Sequence, residues 1–236
     1  MHHTSGTVAA ALQRLPLFAG IPEAALQRLA GRTSFIYVEA GKLVLDYNDP
    51  TTDVFVTIHG TIRVSVPTPD GSHARIVGDF HGGDFVGEIA AIDGAPRSAR
   101  VEALVNTRLC RLPAEAFLAV AAEVPAVGLR IMQLLTARLR VQNQVLLEHT
   151  SLPIRLRLGA ELLRIARPRA DGTLVVSPVP TQQDLADRVG ARRETVSREL
   201  GGLERDGLLQ RGRAAMVLPQ PRKLEAAIAR GPQKVV

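Results

Sequence analysis

The sequence predicts an α+β protein in three parts: an N-terminal β-barrel or jelly roll, one long helix, and a C-terminal winged helix-turn-helix. Three observations carry that prediction. From about residue 33 to 112, short apolar runs are broken by turn residues at close, regular spacing. After Pro125, and as far as about Glu148, the chain lacks proline and its apolar residues recur at helical spacing. From Thr181 to Leu200, two short amphipathic segments meet at Gly190. The 236 residues suffice for one large or two ordinary domains, and a 46% hydrophobic content is enough for a real core. The expected boundaries are 1–124 for the β domain, 125–150 for the long helix and 151–236 for the C-terminal domain.

The first elements are short helices. Leu12, Leu15 and Leu17-Phe18 precede a Gly20-Ile21-Pro22-Glu23 corner, and Leu26 and Leu29 follow at helical spacing. The strands expected next are Phe35–Val38, Gly41–Leu45, Val54–Ile58, Thr61–Val66, Arg75–Phe80 and Val101–Leu112. Tyr47-Asn48-Asp49-Pro50, His59-Gly60, Pro69-Asp70-Gly71 and His81-Gly82-Gly83-Asp84 separate them, with Gly60 making a tight turn. In the long helix, Val127, Ile131, Leu134, Val141 and Val145 form one stripe, and Leu135, Leu139 and Leu146 a second. Two apolar faces give one helix two things to cover, the barrel and a second copy of itself, with a single wide core face as the alternative. Residues 151–153 read as a hinge, with Pro153 ending the long helix. A further helix over roughly 154–167, a loop at 168–172 and a short strand at Thr173–Val176 complete the approach to the helix-turn-helix, and the tail beyond Gly231 is expected to fray.

Composition removes several classes. No apolar run approaches the roughly 18 residues needed to span a bilayer. The N-terminal residues Met1-His2-His3-Thr4-Ser5-Gly6 lack a basic-then-apolar signal pattern, so a cytoplasmic protein is expected. The one cysteine, Cys110, sits in a strand-like run and reads as a buried structural thiol. No nucleophile–base pair or metal-ligand set emerges, which argues against an enzyme; His59, His73 and His81 read as loop or surface histidines. The formal charge of +6 is unevenly spread. Residues 1–150 hold 13 Lys+Arg against 14 Asp+Glu, a net of −1, whereas residues 151–236 hold 16 against 9, a net of +7. A basic C-terminal third beside a neutral remainder suits a polyanion there.

The segment from Thr181 to Leu200 tells which polyanion. Thr181 caps the first helix, with Asp184 placed close to a capping box. Leu185, Ala186 and Val189 form its inner face, and small Ala186 lets the second helix pass closely. Gly190 supplies a left-handed corner. Val196, Leu200 and Leu203 face inward on the second helix, which leaves Arg193, Glu194, Ser197 and Arg198 outward. Arginine donates two hydrogen bonds to guanine and glutamate accepts from cytosine, so this face suits a G·C-containing major groove. Thr181, Gln183, Arg192, Arg193, Glu194, Thr195, Ser197 and Arg198 are the expected double-stranded-DNA contacts. Leu208-Leu209-Gln210 and Ala215-Met216-Val217-Leu218 flank Arg211-Gly212-Arg213, which reads as a hairpin wing with a basic tip for a phosphate backbone, an ordinary surface hairpin being the alternative.

With these motifs in place, the sequence resembles the Crp-Fnr transcription regulators over nearly its whole length. The resemblance is carried by Pro16-Leu17-Phe18-Ala19-Gly20-Ile21-Pro22, the strand–Gly60–strand unit, Gly83-Asp84-Phe85-Val86-Gly87-Glu88-Ile89, Pro96-Arg97-Ser98-Ala99, the long helix, and Arg193-Glu194-Thr195-Val196-Ser197-Arg198. It implies a β-roll (jelly-roll) cyclic-nucleotide-binding domain, a dimerisation helix and a winged helix-turn-helix. It also implies a homodimer on a palindromic operator with TGTGA-like half-sites.

The chemistry of residues 83–99 agrees with that implication. Gly87 permits close backbone approach, and free N–H groups around Gly87, Glu88, Ile89 and Ala90 can face a phosphate. Glu88 is an acceptor for a ribose hydroxyl. Arg97 offers a charged fork for a cyclic phosphate, and Ser98 adds a hydroxyl donor. The competing reading makes Glu88 and Arg97 a structural ion pair in an empty roll. By resemblance, Arg138 lies near the phosphate and the glutamate, and Gln142 and Asn143 stand where the cAMP receptor has a Thr-Ser pair that contacts adenine. These amides are a departure that suits adenine or guanine edges. cAMP is the favoured effector; the alternatives are the same architecture responding to cGMP or another ligand, or acting without a nucleotide. Neither activation nor repression is indicated. RNA polymerase is a candidate partner, although the loop at 168–173 is shorter than the polymerase-contacting loop of the best-known member.

Overall fold

A computed structural model describes residues 5–69 and 73–231. The expected Asp70-Gly71 turn and the tail beyond Gly231 lie outside the described residues. The chain divides into two compact units, residues 1–138 and 139–236.

The first unit begins with α1 (Ser5–Gln13), a single 3-10 turn (Pro16–Phe18) and α2 (Glu23–Gly31). There follow β1 (Ser34–Val38), β2 (Leu43–Leu45), β3 (Val54–His59), β4 (Thr61–Pro67), β5 (Ala74–His81), β6 (Phe85–Val86), α3 (Glu88–Asp93), β7 (Arg100–Ala103), β8 (Thr107–Leu112) and α4 (Ala114–Glu123). The long helix α5 (Pro125–Ser151) starts in this unit and ends in the second. The strands form two four-stranded antiparallel sheets, ordered β1-β8-β3-β6 and β2-β7-β4-β5.

Period-two alternation distributes the side chains between two cores. Phe55 and Leu109 of the first sheet join Leu45, Ile62, Val64 and Val101 of the second inside the roll. Their neighbours Val54, Val56, Cys110 and Leu112 point to the other face, where α1, α2, α4 and the start of α5 cover them. A strand buried on both faces reads as a continuous apolar run, as Val54-Phe55-Val56 does. The Gly60 turn forms as expected: its φ is +104°, and a Cβ there would stand 2.3 Å from Thr107 Oγ1.

Two expectations for this unit are corrected. The run Val101–Leu112 is not one strand. Residues 104–106 carry the chain from one sheet to the other, so β7 pairs with β2 and β4 while β8 pairs with β1 and β3. The two stripes on α5 also do not divide into a barrel face and a free face. Val127 and Ile131 from the first stripe are buried in the core below the first sheet, and Leu135 from the second packs beside them. Leu134, Leu139, Val141 and Leu146, from both stripes, are exposed, as is Met132.

The second unit holds α6 (Ile154–Ile165), β9 (Arg167–Pro168), β10 (Leu174–Val176), α7 (Gln182–Val189), α8 (Arg193–Arg205), β11 (Gln210–Arg211), β12 (Met216–Leu218) and α9 (Pro221–Arg230). Its sheet order is β11-β12-β10-β9. Leu158 and Leu162 of α6 pack with Leu185, Ala186, Val189, Val196, Leu200, Leu203 and Leu224. The chain breaks helix at Leu152 and restarts after Pro153, where the sequence placed a hinge.

Candidate anion pocket and nucleic-acid interface

Gly87 joins β6 to α3, with φ +86°. A Cβ at this position would lie 2.7 Å from the Asp53 carbonyl oxygen and 2.8 Å from Arg97 Nη1. Both conformation and space therefore require glycine. The Arg97 backbone is clamped to the 46–53 loop: its N–H donates to Asp49 O (2.9 Å) and its carbonyl accepts from Asn48 N–H (3.0 Å). Its guanidinium, in a residue only 2% exposed, donates to Thr51 Oγ1 (3.1 Å), Gly87 O (2.9 Å) and Asp53 O (2.8 Å). All three acceptors are neutral. Burial pulls the Arg97 pKa below its ordinary value, opposed by the negative charges of Asp53, Asp49 and Glu88.

Those three carboxylates are engaged elsewhere. Asp53 pairs with Arg111 at 2.5 Å, Asp49 accepts the Thr51 N–H at 2.7 Å, and Glu88 pairs with Arg138 at 2.9 Å. The expected alternative, an ion pair between Glu88 and Arg97, is thus not formed. Arg97 is a buried cation with three of its five N–H donors used on neutral oxygens.

Glu88, only 5% exposed, offers its Oε1 to Arg138 Nη1, while Oε2 has no partner among the described residues. Arg138 is held by a second bond, from Nη2 to Phe85 O at 2.7 Å, and lies against two rings, with Cζ 4.7 Å from the centroids of both Phe80 and Phe85. The first-turn N–H groups of α3 lack intrahelical partners by geometry; they belong to Glu88, Ile89 and Ala90, of which Ala90 is buried and Ile89 exposed. Ser98 is exposed. Gln142 and Asn143, in the second unit, are exposed one helical turn beyond Arg138 on α5.

Sequence reasoning named Gly87, Glu88, Arg97 and Arg138, and the structure brings these four together. It missed Thr51, Asp53, Phe80 and Phe85. Asp53 and Phe85 take part chiefly through backbone carbonyls, which carry no sequence signal. It also missed α3, because six residues are too few to show a period.

In the second unit the Thr181 hydroxyl accepts the Asp184 N–H (3.0 Å) and the Asp184 carboxylate accepts the Thr181 N–H (3.2 Å), a complete capping box. Such a cap stabilises a helix start by about 1 kcal/mol. The cap uses the Thr181 hydroxyl only as an acceptor. Gly190 takes the left-handed corner at φ +62°. α8 starts at Arg193, and Arg192 is its extended N-terminal flank. Arg192, Arg193, Glu194 and Arg198 are exposed, Thr195 and Ser197 half-buried, and Val196, Leu200 and Leu203 buried. Thr181 and Gln183 are exposed on α7 and its cap.

The hairpin wing forms between β11 and β12, but its basic residues divide. Arg211 is tied back to Glu204 of α8 at 2.6 Å, and that bond holds the Glu204 carboxyl below its usual pKa. Arg213 is exposed at the tip. Among the described residues no cluster of three or more metal-ligating side chains occurs, and no single helix is long and apolar enough to cross a membrane.

Comparison with known proteins covers both units. A cyclic nucleotide-binding domain matches residues 35–123, and a Crp-like helix-turn-helix domain matches residues 156–227. A CRP-like cAMP-activated global transcriptional regulator of Mycobacterium tuberculosis is 24% identical over 202 residues, 84% of this chain and 90% of that protein. Among solved structures, a CooA mutant from Carboxydothermus hydrogenoformans has a TM-score of 0.72 at 18% identity, covering 83% of this chain and 88% of that one. The c-di-GMP-responsive global regulator CLP from Xanthomonas campestris has a TM-score of 0.71 at 22% identity, covering 84% of this chain and 99% of that one. At these identities the structural likeness establishes the fold.

Proposed function

Since this chain belongs to the Crp-Fnr family of transcription regulators, we propose that it is a homodimer whose DNA binding is switched by a cyclic nucleotide, with cAMP the preferred effector. The observation that carries the ligand reading is Arg97. A buried cation is costly unless an anion compensates it. Here three carboxylates surround Arg97 and each has another partner. Two guanidinium N–H groups remain, enough for one fork onto a phosphate. Glu88 Oε2 stands ready for a hydroxyl donor such as a ribose 2′-OH, and the α3 amides face the same chemistry. An anion with a neighbouring hydroxyl is what a cyclic nucleotide presents.

The base is read by Gln142 and Asn143. Their amides pair with guanine edges as well as adenine edges, which keeps cGMP as the second reading. Met132, Leu139 and Leu146 recur every seven residues along α5 and are exposed, the pattern of a seam for a second copy. A two-fold dimer places two α8 helices on a palindrome with TGTGA-like half-sites one helical turn apart. Arg193, Glu194 and Arg198 read bases, with Ser197 beside them. Thr181, Gln183, Arg192, Thr195 and Arg213 hold the backbone. Only a ligand that favours the DNA-competent arrangement can switch such a dimer. RNA polymerase is a candidate partner, and the cytoplasm the expected compartment.

The test is a titration of cAMP and of cGMP into the full-length protein while its binding to a duplex selected from a random pool is followed by anisotropy. Tighter DNA binding with cAMP at lower concentration than with cGMP is expected. The opposite order would exchange the effector. No response to either would refute nucleotide control.

A further inference from the structure

From Leu139 onward, α5 contributes no side chain to the apolar core of the second unit. Leu139, Val141, Leu146 and Leu147 are all exposed. Among the described residues 139–151, Glu148 alone is buried. Its carboxylate takes both oxygens to Arg164 of α6, with Nη2 at 2.8 Å from Oε1 and 2.7 Å from Oε2. Arg164 also binds Glu161 through Nη1, and the other oxygen of Glu161 accepts from Arg188 of α7 at 3.1 Å. Four charges thus alternate in sign, from the end of the long helix through α6 into the helix-turn-helix. A second polar link runs beside them. Arg157 Nη1 of α6 lies 3.3 Å from His149 Nδ1 of α5 and donates to Val189 O of α7 at 3.1 Å.

We propose that Glu148 and Arg164 form an ionic latch that positions the reading head on the last turns of α5. An apolar contact tolerates sliding by a fraction of a side chain. Here Nη2 of Arg164 is shared by both Glu148 oxygens while Nη1 holds Glu161, so the guanidinium is pinned from two sides, and losing one partner strands a buried charge. With no apolar core beneath these turns, the latch sets the angle between residues 139–151 of α5 and the pair α7–α8. The break at residues 152–153 is thereby bridged, so the last turns of α5 and the head behave as one body. Both residues are positioning residues, and neither touches DNA. The functional consequence rests on the reading above: if two α5 helices pair, the latch fixes how far apart the two α8 helices stand.

The test uses full-length Glu148→Gln and Glu148→Asp, a palindromic duplex selected by the wild type, and its single half-site. One head needs no relative placement to bind a half-site. Glu148→Gln is expected to keep half-site affinity within about twofold and to lose about tenfold or more on the full site, with Glu148→Asp restoring most of that loss. Amide hydrogen exchange over residues 144–151 should accelerate by about tenfold or more in Glu148→Gln, while α8 keeps its protection. Unchanged full-site affinity with unchanged exchange would overturn the latch. Equal losses on both duplexes, with α8 exchanging faster too, would also overturn it, because that result marks general damage to the head. Wild-type protein binding both duplexes equally would refute the paired-head reading instead, and the exchange arm would still decide the latch.

Discussion

Replacing Arg97 by lysine separates charge from geometry in the pocket. The change keeps the cation but exchanges a planar fork for a single ammonium on a flexible stem. In the structure three N–H groups of Arg97 hold Thr51 Oγ1, Gly87 O and Asp53 O, and two remain for a ligand. A hydrogen bond to a charged group contributes about 1.5–3 kcal/mol, so two of them to a phosphate amount to about 3–6 kcal/mol. A lysine spends its three donors on the carbonyls already present or on the phosphate, not both. Loss of one to two ligand bonds predicts nucleotide affinity lower by between about tenfold and about 10⁴-fold. Isothermal titration of the full-length variant with cAMP and with cGMP measures this directly. The ligand-free variant should stay folded by circular dichroism, since lysine keeps the cation in the field of Asp53, Asp49 and Glu88 and leaves their own partners unchanged. Wild-type affinity in a folded Arg97→Lys protein would refute the assignment of those two donors to an anion.

Four further outcomes are expected. Arg198→Ala should relax base preference at one guanine position by about 1–3 kcal/mol in a selected-site assay. Arg213→Ala, at the wing tip, should instead weaken binding to all sequences alike and lower the salt slope by about one, read from affinity against salt concentration. Leu139→Asp should shift the protein to monomer in sedimentation velocity while nucleotide binding survives, since this residue is 60% exposed and contributes to no core. Cys110, fully buried with its thiol pushed up to about 12 by desolvation, should resist alkylation at pH 8 until the protein is denatured, as followed by mass spectrometry. Its thiol loses a proton only as the pH approaches that value, so near neutrality it is protonated in the native state.

What could be read from the sequence alone depended on where the information lies. The helix-turn-helix was legible almost residue by residue because its determinants are local and carried by side chains: Thr181 against Asp184, Gly190 at the corner, and Val196, Leu200 and Leu203 at helical spacing. Gly87, Glu88 and Arg97 were legible as a motif, yet what makes Arg97 a candidate anion site was not. That depends on which partner each neighbouring carboxylate takes: Asp53 takes Arg111, 58 residues away in sequence, and Glu88 takes Arg138, 50 away. It depends also on two backbone carbonyls, which every residue possesses. The stripes of α5 mark a third limit. A period shows that a face is apolar but not what covers it, and only the fold reveals that Val127 and Ile131 belong to the roll while Leu139 and Leu146 remain uncovered. Glu148 is the sharpest case. In sequence it is one more charge near the end of a helix, which is most often a solvated position. Burial against Arg164, in a stretch of α5 that contributes nothing to an apolar core, makes that single carboxylate the group on which the proposed latch rests.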